Sequence, residues 1–259
     1  MIEIRDLTFA YGGQSPLFED FNLNVARGEA WSIIGASGCG KTTLLYLLAG
    51  LRRPNAGKIV IEGIPMARPR PRSGLVLQDH GLLPWATVQE NARLGLTIRK
   101  FYGSDGRHAP VDEQLNKDTV NRRIDHWLKT LGIAKLRSHY PSMLSRGQRQ
   151  RTAIARTLAM EPDLLLLDEP FSALDAPTRE DLESLVIDLH TRANLTYIIV
   201  THDIEAAVVM GKKILVLEKG TNRLARVIEN KSAGSADFRK HDAFHRKYEE
   251  LREVLGSLT

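Results

Sequence analysis

Residues Gly35 to Thr42 read GASGCGKT, and glycines spaced ahead of a lysine and a hydroxyl in this way suit the binding of phosphate groups. Gly35, Gly38 and Gly40 let backbone N–H groups curl around an anion at a helix N-terminus, with Ser37 and Cys39 carried in the same loop. Lys41 would reach the β and γ phosphates of ATP, Thr42 would place its hydroxyl on Mg²⁺, and Thr43 would help hold the phosphates from the first helical turn. Downstream, LLLLDEP from Leu164 to Pro170 reads as a buried strand ending in two carboxylates, a charge tolerated there only if something compensates it. Magnesium would do so, with Asp168 holding the metal through water and Glu169 orienting and polarising the attacking water. Taken alone, an acidic pair at a strand end is more often a solvated turn; the phosphate loop upstream reverses that reading.

The elements around these residues read as α/β. Ile2, Ile4, Leu7 and Phe9, then Phe21, Leu23 and Val25, are spaced for one buried face of short β segments joined through GGQSP. A strand is expected from Ala30 to Ile34, then the Gly-rich turn, then a helix whose Leu44, Leu45, Leu47 and Leu48 give a broad apolar face. Further strands are expected at Leu164 to Leu167, Thr196 to Val200 and Ile214 to Leu217, of the kind a parallel sheet buried on both faces would use. Pro177 opens a helix in which Leu182, Leu185, Val186 and Leu189 fall on one face. From about 83 to 160 the pattern is helical, apart from the polar insert GSDGRHAPVDEQ from Gly103 to Gln114, and a helical subdomain is expected there. A tail from 231 to 259 is polar and then helical, with Phe244, Tyr248, Leu251 and Leu255 aligned, and reads as packing on its own domain.

Composition limits the alternatives. The chain has 259 residues, 42% of them hydrophobic, enough for one large domain or two modest ones. A formal charge of +5 arises from 36 basic against 31 acidic residues, too balanced to argue for nucleic acid or an anionic membrane face. One cysteine, Cys39, excludes a disulfide framework within the chain and fits a reducing compartment, so the cytoplasm is the default. No secretory signal is expected in MIEIRDLTFAYGG, and no stretch approaches the roughly 18 apolar residues a membrane span needs. Cys39 lies at a helix N-terminus, a setting that lowers a thiol pKa, so alkylation is expected to block ATP binding unless the thiol is simply unreactive.

The sequence LSRGQ, Leu144 to Gln148, resembles the signature motif of ATP-binding cassette ATPases. The resemblance covers about residues 1 to 230. It departs from the commonest form only at Arg146, where a glycine is usual, a change many importers share. It implies a P-loop fold with a RecA-like parallel-sheet core, an N-terminal antiparallel β subdomain and an α-helical subdomain. It also implies a dimer of two copies, in which Ser145, Gly147 and Gln148 complete in trans the site that holds the partner's γ-phosphate. Gln78 resembles the glutamine that contacts Mg²⁺ and senses the γ-phosphate, and SALD, Ser172 to Asp175, resembles the loop that crosses between subunits. His202 resembles the histidine that bonds the γ-phosphate and helps position Glu169, although a histidine at a strand end is by itself more often structural. Tyr11 resembles the aromatic that stacks on adenine, where an isolated tyrosine at a hairpin end is usually packing.

Two roles follow from this family: a transport motor, or a soluble cassette ATPase acting on ribosomes or nucleic acid. The chain has one cassette, one cysteine and no heptad run, which turns the reading toward transport. The segment QDHGLLPWATVQENARLGL after Gln78 resembles importers of nitrate, sulfonates and taurine, in which this region borders the groove for a permease's coupling helix. Leu82, Leu83 and Trp85 would line that groove, or else be buried in the helical subdomain. The expected partners are therefore a second copy, transmembrane permease subunits and indirectly a solute-binding protein, with no nucleic acid, at the cytoplasmic face of the cell membrane.

Overall fold

A computed structural model describes residues 1–172 and 174–257; Ala173 of the SALD motif and the last two residues of the tail lie outside the described residues. Ten strands form two sheets among the described residues. The first is antiparallel, with β1 (Ile2–Phe9) between β2 (Phe18–Val25) and β4 (Ala56–Ile61), and the short β5 (Ile64–Pro65) on the outer edge of β4. The second runs β10-β9-β3-β8-β7-β6, comprising β10 (Arg226–Glu229), β9 (Lys213–Leu217), β3 (Ala30–Gly35), β8 (Thr196–Val200), β7 (Leu164–Asp168) and β6 (Ser73–Val76). All its neighbours are parallel except the β10–β9 pair.

Alternation along the central strands feeds two separate cores, because successive side chains point to opposite faces of a sheet. Ile33, Leu164, Leu166, Ile198, Val200 and Leu215 pack with the antiparallel sheet and with α1 (Lys41–Leu48). Ile34, Leu165, Leu167, Tyr197, Ile199 and Val216 pack on the opposite face against the remaining helices. Those are α2 (Val88–Tyr102), α3 (Lys117–Thr130), α4 (Arg146–Leu158), α5 (Ala176–Ala193), α6 (Ile204–Met210) and α7 (Asp242–Gly256). The strands and helices expected from periodicity are found within a residue or two of those bounds. Periodicity alone does not mark β4, β6 and β10: β6 and β10 are four-residue strands at the two edges of the parallel sheet, and β4 begins with three exposed residues.

Between 83 and 160 the regular elements among the described residues are all helices, with α2 opened by a Thr87–Glu90 capping box and α4 by a Ser145–Gln148 one. Such a cap is worth about 1 kcal/mol. The polar insert folds on itself and onto its neighbours. Asp105 accepts the N–H groups of Arg107 and His108, and the nearly buried Glu113 accepts from Arg99 at 2.9 Å and from Arg123 at 2.7 Å. In the tail, Phe244 and Leu251 are buried in the helix-side core and Tyr248 and Leu255 pack at its margin, so the aligned apolar face is used for packing.

Candidate functional site

The site forms where β3, β7 and β8 end, because parallel strands in the order β3-β8-β7 deliver their C-terminal loops to one edge. After β3, the loop from Gly35 to Gly40 leads into α1. Gly35 pairs with Leu217 in the β3–β9 ladder, and a Cβ built there would lie 2.2 Å from the Leu217 carbonyl oxygen, so only glycine fits. Gly38 adopts φ +80 over open space, which leaves room for an anion to approach the backbone. Lys41 folds over the loop, donating to the carbonyls of Gly35 at 2.8 Å and Ala36 at 2.9 Å. Ser37 is exposed on the loop and Gly40 caps α1 at φ +101.

Thr42 reaches across to the end of β7, where its hydroxyl donates to Asp168 Oδ1 at 3.0 Å. Asp168 is 2% exposed, and burial, opposed by the Thr42 bond and Lys41, raises its carboxyl above the ordinary carboxylate value. A buried carboxylate beside a hydroxyl is a set of hard oxygen donors, the kind Mg²⁺ takes, and few protein ligands suit an ion that also takes substrate phosphates. Among the described residues there is no cluster of three or more His, Cys, Asp or Glu for a resident metal.

Glu169 follows in a left-handed conformation, φ +48, with its N–H bonded to Val200 O at 2.9 Å. Such a conformation is uncommon for a non-glycine residue and holds the side chain at the strand end. His202, after β8, meets the Glu169 carboxylate through Nδ1. Gln78 lies two residues past Val76, where β6 ends in its pair with Leu167 of β7. Its loop is held to α4 by Arg156, which donates to the carbonyls of His80 at 2.8 Å and Gly81 at 2.6 Å.

Tyr11 stands beside α1, with its hydroxyl 3.1 Å from Thr43 Oγ1, its ring edge-on to Phe9, and the Arg52 guanidinium 5.5 Å from its ring centroid. Cys39 departs from the expectation of a reactive thiol. It is 0% exposed in the core against α1, and burial pushes its pKa up, outweighing Lys41 and the helix terminus. Its N–H is directed to Ala36 O, and its carbonyl accepts from the buried Asn222 at 3.2 Å. Asn222, which ties the phosphate loop to the β9–β10 turn, has no signal in the sequence pattern, and neither does Arg156.

The signature residues gather elsewhere. Ser145, Gly147, Gln148 and Asp175 line a cleft of about 400 Å³ of their own, together with Arg151 and Thr178. Ser145 caps α4, and Asp175 caps α5 by accepting from Thr178, a bond that lowers its pKa. Arg146 is exposed beside them. In the LLPW segment Trp85 is 74% exposed while Leu82 packs on the helix-side core, and the loop is pinned by Asn91, whose amide bonds Leu83 and Ala86.

A family model described as ABC transporter matches residues 18–172. Among curated proteins, the chain is 38% identical over 224 residues to the taurine import ATP-binding protein TauB of Yersinia pestis bv. Antiqua, covering 86% of this chain and 82% of that one. It is 35% identical over 219 residues to the aliphatic sulfonates import ATP-binding protein SsuB of Bacillus cereus, covering 85% and 80%. Among solved structures it resembles the ATP-binding cassette MJ0796 in a dimeric post-hydrolysis state bound to ADP and Pi. The TM-score there is 0.76 at 30% identity, over 88% of this chain and 98% of that one.

Proposed function

This chain belongs to the ABC transporter family, and from that membership we propose that it is the ATP-hydrolysing motor of an importer for a small solute of the taurine or sulfonate type. It binds ATP, as cassettes of this family do, and its fold is that of an ABC ATPase. The import role of both relatives favours transport over the soluble alternative. The observation that carries the catalytic roles is the meeting of Thr42 with Asp168 at 3.0 Å beside the Glu169–His202 contact, at adjacent strand ends.

In this reading Gly35, Ser37, Gly38, Cys39 and Gly40 wrap the phosphates with their backbone, Lys41 neutralises the β and γ groups, and Thr43 holds them from α1. Mg²⁺ on Thr42, Asp168 and Gln78 would neutralise the charge that develops between the phosphates. Glu169 orients the attacking water from the end of β7, where its backbone is left-handed. His202 holds that carboxylate through Nδ1 and offers Nε2 to the γ-phosphate. Tyr11 stacks on adenine.

The cleft of Ser145, Gly147, Gln148 and Asp175 belongs to the partner's nucleotide, so that two ATP molecules join two copies face to face. Closure would draw together the coupling helices of the permease, seated near Leu83 and the exposed Trp85, and hydrolysis would release them. Residues 1–230 form the cassette, with its helical subdomain at about 83–160 and the tail at 231–259. No described helix is long and apolar enough to cross a membrane. The import role of the relatives supports a subunit that is membrane-associated through its partners, which this reading places on the cytoplasmic face. The test is Glu169→Gln: with MgATP it should bind nucleotide, run as a dimer in size-exclusion chromatography and turn over at least about 100-fold more slowly. A variant that binds ATP yet stays monomeric, or hydrolyses at the parental rate, overturns the assignment.

A further inference from the structure

The seven-residue helix α6 begins directly after His202 and Asp203, so the placement of its first turn sets the placement of the histidine. Asp203 caps it, accepting from Glu205 N–H at 2.9 Å, and Arg179 of α5 donates to the Asp203 carboxylate at 2.8 Å. One turn further along α5 stands Glu183, whose side chain is 1% exposed. Arg239, from the segment before α7, donates through Nη2 to Glu183 at 2.6 Å and through Nε to Glu205 in the first turn of α6. The other end of α6 is held by the same segment. Buried Asn230 donates its amide to the carbonyls of Val208 at 2.7 Å and Gly211 at 2.9 Å, and Gly234 N–H bonds Val209 O at 3.2 Å. Phe238 and Phe244, both buried and 5.8 Å apart edge to face, anchor it in the core.

ATP chemistry by itself does not call for this arrangement, because residues 230–244 lie outside the phosphate loop, the strand-end carboxylates and the signature cleft. A buried carboxylate without its cation is strongly unfavourable, so Glu183 keeps Arg239 in place and Arg239 can act as a fixed brace. We propose that the C-terminal segment is a positioning clamp for hydrolysis: Arg239 ties Glu205 of α6 to Glu183 of α5, fixes the first turn of α6, and so holds His202 against Glu169. Arg239 and Glu205 are thus positioning residues, and the inference rests on the roles given above to His202 and Glu169.

The test uses the full chain, measuring kcat, KM for ATP and the thermal midpoint of Glu205→Gln, Arg239→Ala, Arg239→Lys, His202→Ala and the double variant His202→Ala with Glu205→Gln. Glu205→Gln keeps the buried Glu183–Arg239 pair and reduces only the limb to α6, from a charge-assisted bond to a neutral one, so it tests the clamp even if Arg239→Ala unfolds. It should lower kcat about tenfold, a loss expected from a displacement of well under 1 Å at the reacting groups, with KM for ATP within about twofold. Arg239→Lys, with one ammonium for two carboxylates, should recover part of the loss seen in Arg239→Ala. In the His202→Ala background, Glu205→Gln should change kcat no further, because its effect passes through the histidine. If His202→Ala lowers kcat while Glu205→Gln leaves it at the parental value, the clamp is refuted and the histidine's role stands. An equal Glu205→Gln loss with and without His202 would make the effect merely structural and also overturn the clamp. Parental kcat in His202→Ala itself would overturn the underlying reading, and the clamp with it.

Discussion

Replacing Gly35 with alanine should disable the site from its entrance. The added Cβ would lie 2.2 Å from the Leu217 carbonyl oxygen and 2.8 Å from Cys39 Sγ, the first about 1.2 Å short of the 3.4 Å at which ordinary contact begins. The oxygen belongs to backbone in the parallel β3–β9 ladder and cannot swing aside as a side chain would. The end of β3 must therefore move by about an ångström, and it carries the phosphate loop with it. Overpacking of this kind destabilises by about 1–3 kcal/mol, or about 3–10 °C in Tm for a chain of this size. A displacement of about 1 Å at the phosphates is worth a loss of about 100-fold in kcat/KM. The assay is MgATP hydrolysis beside thermal unfolding, with Gly63→Ala as the control. Gly63 also has a positive φ, +76, but open space around it in the turn between β4 and β5, so its alanine should incur only about 1 kcal/mol of backbone strain and leave kcat/KM unchanged. Parental ATPase activity in Gly35→Ala, or an equal activity loss in Gly63→Ala, would refute the close-approach argument.

Asp168→Asn should stabilise the protein in EDTA while abolishing hydrolysis. Burial raises the Asp168 carboxyl above its unfolded value of 3.8, so the native state binds the proton more tightly and stability falls as pH rises through that window. At neutral pH the penalty is fully present, and the amide, which can still accept from Thr42, should raise Tm by about 2–4 °C, a gain that shrinks toward acid pH; a lower Tm at pH 7 would contradict this. Cys39 should resist a maleimide at pH 8 at least about 100-fold better in the native protein than in denaturant, since its thiol is buried and its pKa raised; equal rates would restore the reactive-thiol expectation.

Much of the site is legible as local pattern. A strand, a glycine loop and a lysine-threonine pair at a helix start lie within fourteen residues, from Ala30 to Thr43, and their spacing alone dictates a phosphate cradle. The aliphatic run ahead of Asp168 and Glu169, the cap at Ser145 and the proline opening α5 are equally short-range. So are the periodic faces that give an α/β fold, because a few neighbouring dihedrals and alternations fix them. What the sequence does not contain is the order of the strands. Thr42 meets Asp168 across 126 positions of chain, and His202 meets Glu169 across 33, only because β8 inserts between β3 and β7 and brings their ends to one edge. Tertiary packing also decided against local chemistry at Cys39, where desolvation in the core outweighs a helix N-terminus and a nearby lysine. It alone brought Asn222, Arg156 and Arg239 to the carbonyls and carboxylates they hold, since hydrogen bonds between distant segments leave no periodic trace in a sequence.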